Sequence, residues 1–224
     1  MLSGPDDIYA SAPLRSLMAD ESRVLLPEIQ RCSGDHGLLL SAAAGDQPPA
    51  LPMLACWTRL EFSGDRYRGD LLARADESLP FMDDAFELVM LRHVLETSTM
   101  PQEQLAEAVR VLSPGGLMVL SGVHPLSLWA PWMYRKGRRQ HLHLRMPLQL
   151  GEWLRRSALQ VEAVTRVGRF WPGAGQAAAT LGSGGYLLLA RKQRRAVTPL
   201  RLVPARIDVS GKAGLAPSAR RLSA

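Results

Sequence analysis

With 224 residues, 46% of them hydrophobic and 21% charged, the chain can bury one sizeable core and would be cramped as two full domains. It contains no apolar run of the roughly 18 residues that a transmembrane helix needs. Residues 1–10 carry Asp6 and Asp7 and lack the basic and apolar regions of a signal peptide. The net charge of +6 is unevenly placed: from Arg191 onward nine Lys and Arg stand against Asp208 alone, a balance of +8, leaving 18 basic and 20 acidic residues in 1–190. The body therefore gives no support for a nucleic-acid footprint, and only the tail offers cations to phosphates. Cys32 and Cys56 fall outside any C-x-x-C spacing, which fits packing residues in a reducing, cytoplasmic setting.

Apolar runs alternate with helix-period segments, the pattern of an α/β protein. Residues 1–36 read as a helical or irregular lead-in. Leu38 to Ala44 is a first buried strand, closed by Gly45-Asp46, and Trp57 to Phe62 a second, ending at Ser63-Gly64-Asp65. Tyr67 to Ala75 is a weaker strand candidate, and Phe86 to Leu91 a buried one. Pro101 opens a helix to about Leu112, with Leu105, Ala108, Val109 and Leu112 spaced by three and four. Ser113-Pro114-Gly115-Gly116 ends it, and Leu117 to Leu120 is the next strand. Trp129 to Gln140 reads as irregular, Leu148 to Leu159 as a helix, and Val161 to Phe170 and Tyr186 to Ala190 as two last strands. Gly182 to Gly185 reads as a hairpin turn. The body ends at 192, and the pattern from 193 to 224 suits a disordered basic tail.

The run Leu79-Pro80-Phe81-Met82-Asp83-Asp84-Ala85-Phe86-Glu87-Leu88-Val89, followed by Arg110-Val111-Leu112-Ser113-Pro114-Gly115-Gly116, carries a resemblance. It resembles the L-P-F-x-D-x-x-F-D-L-V and R-V-L-x-P-G-G segments of class I S-adenosylmethionine-dependent methyltransferases of type 11. Leu120 to Trp129 (L-S-G-V-H-P-L-S-L-W) is similar to a segment of a proteobacterial branch of these proteins, as are Ala190 to Gln193 and Thr198 to Leu200. The resemblance spans roughly Gly37 to Leu200. It implies a Rossmann-like, doubly wound α/β fold: a mostly parallel seven-stranded sheet with helices on both faces and one reversed strand near the edge. The ligand of such a sheet binds beyond the carboxyl ends of the central strands.

The same resemblance implies S-adenosylmethionine as cofactor and a small or lipid-like methyl acceptor. Ser41-Ala42-Ala43-Ala44-Gly45-Asp46 stands where the family has G-x-G-x-G, and it keeps only the last glycine. Ser41, Ala42 and Gly45 would approach the methionine end. Glu61 would bond the ribose hydroxyls, or else is a solvated strand residue. Asp76, with Glu77 beside it, would hold the adenine amino group, and Leu91 and Arg92 would edge the adenine. His93 is a candidate general base, since an imidazole of ordinary pKa near 6.5 suits that role, or else a strand-end cap. His124 suits a hydrogen-bonding role toward the acceptor. Trp129, Trp132 and Tyr134 would form an aromatic lid, or pack an excursion onto the sheet. The basic Arg135, Lys136, Arg138 and Arg139 read as a solvated loop, or else would favour an anionic acceptor or a lipid headgroup. His141 and His143 lack further ligands at metal spacing, so no metal is expected. Two rival functions remain: a non-catalytic binding module of the same fold, and a nucleic-acid-associated protein acting through its tail.

Overall fold

A computed structural model describes residues 7–138, 141–172 and 183–194. Apart from Gln193 and Arg194, the expected tail lies outside the described residues, as do Arg139 and Gly182. A short 3-10 turn, Ile8–Ala10, leads into α1 (Ala12–Ile29). Pro13 sits in the first turn of α1, where its missing N–H costs nothing. Leu14, Leu17, Met18, Leu25 and Ile29 form its buried stripe.

The strands follow as β1 (Gly34–Ser41), β2 (Leu54–Ser63), β3 (Arg66–Gly69), β4 (Ala73–Arg74) and β5 (Phe86–Arg92). After α2 (Val94–Thr97) and α3 (Pro101–Val111) come β6 (Leu112–Val123), α4 (Trp129–Lys136), α5 (Pro147–Arg156), β7 (Leu159–Val167) and β8 (Gly185–Lys192). They make one sheet in the order β4-β3-β2-β1-β5-β6-β8-β7. β2, β1, β5 and β6 are parallel, while β3 and β8 run antiparallel to both of their neighbours. This is the expected Rossmann-like α/β architecture, with two differences.

The sheet has eight strands, not seven, and two of them are reversed. Where a helix would join β2 to the next parallel strand, Gly64 at φ +68° turns the chain straight back into β3. β3 then pairs with the two-residue β4. The weak strand signal from Tyr67 to Ala75 is thus two short strands around a bend. In addition, β1 and β2 are parallel yet joined by twelve residues, 42–53, that contain no helix. Parallel neighbours usually need a helical crossover, so one sheet face at β1–β3 is left uncovered.

Helices α2, α3 and α5 pack Leu95, Leu105, Ala108, Leu150 and Leu154 against one face. On the other, Leu25 and Ile29 of α1 cover Leu39, Met90 and Val119. The L-P-F run is fastened to α3: Arg110 donates to the carbonyls of Leu79 (3.1 Å) and Phe81 (2.9 Å), and Glu107 accepts the Leu79 N–H at 2.6 Å. The spacing shared with methyltransferases therefore has a mechanical reason, since it closes a side-chain clamp across the two segments. Trp129–Lys136 is an α-helix and not irregular as its composition suggested. Its Trp129 and Met133 bury against the start of α1, a tertiary partner invisible to local pattern.

Candidate functional site

The carboxyl ends of β1, β5 and β6 meet beneath α1, and there the sequence places an unusual density of charge. Arg92, the last residue of β5, is buried. Its guanidinium donates to Asp46 Oδ1 (3.1 Å) and the Met18 carbonyl (2.7 Å) and lies 3.7 Å from Glu21 Oε2. His93 follows in the left-handed region at φ +58° and is 0% exposed. Its ring nitrogens meet Glu96 Oε2 and Glu21 Oε1, each at 3.1 Å. Tyr9 donates to Glu96 Oε2 at 2.9 Å, and the Val123 N–H donates to Glu96 Oε1. Burial alone would push the imidazole pKa down; the Glu21 and then the Glu96 carboxylate overcome it and raise the pKa to about 10. At neutral pH His93 is thus an imidazolium held by two carboxylates, with no exposed surface and no free nitrogen.

Above this network the loop after β1 is packed down. Ala42 and Ala43 are buried in a cluster with Ile8, Leu14, Leu17, Val123 and Trp129. Ser41 Oγ accepts the Ala43 N–H at 3.2 Å, and Ala42 donates to the Arg92 carbonyl at 3.0 Å. Within 41–46 only Gly45 has positive φ, +70°, so the three alanines escape the left-handed strain of roughly 1–2 kcal/mol per residue. A Cβ added at Gly45 would meet nothing within 4 Å. Gly45→Ala is therefore expected to cost about 1–2 kcal/mol through conformation alone, and chemical denaturation would read it while the cavity beside the loop stays open.

That cavity, about 320 Å³, lies on the uncovered sheet face between the loop and β2–β3. Leu39, Ser41, Ala43, Gly45 and Asp46 line one wall, and Arg59, Glu61, Arg68 and Asp70 the other. The parallel register sets Ser41 opposite Glu61. Two of its lining carboxylates have spare capacity. Asp46 Oδ2 is buried without a hydrogen-bond partner, and the half-buried Glu61 side chain makes no hydrogen bond or ion pair among the described residues. Arg59 is engaged, donating to Gln47 (3.1 Å) and pairing with Asp70 (3.3 Å).

Of the residues singled out by sequence, Ser41, Gly45 and Glu61 share this cavity. Ala42 lies beneath its loop wall, and Leu91, Arg92, His93 and His124 do not line it. Asp76 and Glu77 line a second cavity of about 140 Å³ with Tyr67, Glu103 and Glu107. Tyr67 belongs to the core packed by α3, which puts that cavity on the opposite face of the sheet. Asp76 is held there by a two-pronged contact from Arg74 (2.8 and 2.7 Å), whose hydrogen bonds keep its carboxyl below the usual range. His124 is nearly buried and its Nδ1 accepts the Leu126 N–H at 3.2 Å. Burial, then Arg166, lowers its pKa, so the neutral ring presents Nε2–H as a donor. Trp129 is buried and donates to the Arg169 carbonyl at 2.9 Å. Trp132 packs edge-on against it, while Tyr134 is exposed. Among the described residues, no group of three or more His, Cys, Asp or Glu is placed to hold a metal ion, and no helix is long and apolar enough to cross a membrane. Cys32 packs against the core, but Cys56 is exposed beside His36 rather than packed.

Sequence reasoning missed Glu21 and Glu96, and it placed Asp46 in the loop at the methionine end without a role of its own. Glu21 carried a signal: it falls on the apolar stripe of α1, between Leu17 and Leu25, where a lone carboxylate needs a buried partner.

Residues 53–120 match the family model described as a methyltransferase domain. Among solved structures, the chain is similar to a SAM-dependent methyltransferase from Archaeoglobus fulgidus, with 11% identity, 84% of this chain and 97% of that one covered, and a TM-score of 0.55. A SAM-dependent methyltransferase from Aquifex aeolicus gives 11% identity, 81% and 93% coverage and 0.52. The [4+2]-cyclase SpnF gives 15%, 78% and 80%, and 0.51. No curated protein matches the chain. The fold is that of the class I S-adenosylmethionine-dependent methyltransferases.

Proposed function

We propose that the protein is an S-adenosylmethionine-dependent methyltransferase that holds its cofactor in the cavity between the Ser41–Asp46 loop and Glu61. The reading rests on one observation: Asp46, whose buried Oδ2 has no hydrogen-bond partner, and Glu61, whose half-buried carboxylate has no protein partner among the described residues, line one nucleoside-sized cavity at the end of β1. A cofactor rich in hydroxyl and ammonium donors fits those two carboxylates. Glu61 would accept from the ribose hydroxyls, and Asp46 from the methionine ammonium. The bound cofactor supplies an electrophilic methyl group on a sulfonium. Its transfer is an in-line displacement governed by positioning, so the chain's own task is to orient and to exclude water.

His124 Nε2–H is proposed to hydrogen-bond a small or lipid-like acceptor. His93 is proposed as a positioning residue that fixes the turn between β5 and α2. The Leu120–Trp129 run supports placement in the proteobacterial branch named above.

S-adenosylhomocysteine at a hundredfold excess over Kd should add ~2.7 kcal/mol to stability, a melting rise of roughly 5–11 °C for a chain of this size. Glu61→Ala should weaken binding by about tenfold or more, since a hydrogen bond to a charged group contributes about 1.5–3 kcal/mol. A wild-type protein whose melting point ignores millimolar cofactor contradicts the proposal.

A second reading, a non-catalytic binding module, is favoured by the sealed strand end around Arg92 and His93. A fold alone does not fix a reaction. Cofactor binding without consumption of the methyl donor in the presence of candidate acceptors would select this reading.

A further inference from the structure

The edge of the sheet beyond β6 and β7 carries large apolar side chains in water. Leu126 is 78% exposed, Phe170 59%, Trp171 56% and Tyr134 48%. Backbone bonds bring these segments together: His124 N–H donates to the Gly184 carbonyl (2.8 Å), and Gly184 N–H to that of Arg169 (2.9 Å). The Trp129 indole ties the start of α4 to the same Arg169 carbonyl. Exposed apolar groups gathered at one edge mark an interaction surface.

The charge of that edge has one sign. The chain holds no Asp or Glu between Glu107 and Glu152, nor between Glu162 and Asp208. α4 and its exit expose Arg135, Lys136 and Arg138. Asp20 of α1, which lines a small cavity with Trp129 and Arg169, is buried and bonded to Arg23 at 2.9 Å. Protruding Trp, Tyr, Phe and Leu beside cations, on segments whose described residues carry no acid, match a membrane–water interface that carries negative headgroups. A nucleic acid would satisfy the cations but leave Leu126 and Phe170 unburied.

We propose that this edge, formed by Leu126, α4 and Phe170–Trp171, docks the protein peripherally on an anionic lipid bilayer. The inference is independent of the cofactor reading, because it needs neither cofactor nor turnover. It would bring a lipid-like acceptor to the side of the sheet where His124 lies.

Flotation of the full chain with phosphatidylcholine vesicles, with and without phosphatidylglycerol, tests it. Wild type should float with the anionic vesicles, release as salt rises, and ignore the neutral ones. The surface variants F170A/W171A and R135E/K136E should each lose about tenfold or more in partitioning, since each cation near such a surface adds roughly 1 kcal/mol. Unchanged melting points would show that both variants fold. Equal binding by wild type and both variants overturns the proposal, because the tail would then carry the affinity. Failure of wild type to bind anionic vesicles overturns it equally, as does binding only to a single-stranded oligonucleotide.

Discussion

Glu21→Ala is expected to destabilise the protein by about 3–5 kcal/mol, the cost of removing one partner from a buried ion pair. Glu21 is 1% exposed and is the only carboxylate among the described residues that meets both His93 and Arg92. Without it the imidazolium keeps Glu96 alone, and Arg92 keeps Asp46 and a carbonyl. The melting point should fall by roughly 6–20 °C for a chain of this size. Because α1 reaches the strand ends through this contact, hydrogen exchange should rise first in α1 and in the Ala42–Ala43 loop. The pH dependence follows from the sign of the His93 shift. Its folded pKa, about 10, lies above the unfolded value near 6.5. The stabilisation is therefore complete below about pH 6.5 and is lost as pH climbs through about 10. Urea unfolding of wild type and His93→Gln should show a gap that narrows toward pH 10. A gap that widens with pH would contradict the imidazolium assignment.

Trp129→Ala should cost about 3–5 kcal/mol, as large-to-small changes at buried aromatics do. The ring is 2% exposed, packs in the cluster that holds α4 to α1, and stands where a Cβ on Gly184 would collide with its indole. The substitution also removes the indole N–H from the Arg169 carbonyl, which keeps only the Gly184 N–H as a donor among the described residues. An aromatic residue in a mobile lid would cost far less and would change ligand affinity instead. Thermal melting of Trp129→Ala, beside the exposed Tyr134→Ala as reference, separates these cases: only the first should fall by several degrees.

The parallel core was legible because its strands are buried on both faces and read as unbroken apolar runs, Leu38–Leu40, Leu88–Leu91 and Leu117–Leu120. The helix from Pro101 was legible from a proline start and a period of three and four. What failed depended on distant partners. α4 looked irregular because its helical face is defined by α1, more than a hundred residues earlier. The β3–β4 hairpin was blurred because four- and two-residue strands barely outlast a turn.

For the site, the alternation of β2 and the loop after β1 brought Ser41, Gly45 and Glu61 into one cavity. Asp76 reads as the acidic residue that follows the third strand. That position in the chain does not reveal a hairpin that sends it to the opposite face. His93 read as a base because imidazole has a suitable ordinary pKa, yet its two carboxylate partners sit 72 residues before it and three after it. No local pattern reports the earlier one as a partner.

A crystal structure with S-adenosylhomocysteine tests the central claim most directly. The account predicts density for the nucleoside in the cavity between Gly45 and β2, with ribose hydroxyls on Glu61 and the amino group on Asp46 Oδ2. A ligand bound beside Asp76 on the opposite face, or one that enters only by displacing α1 from Arg92 and His93, would contradict it.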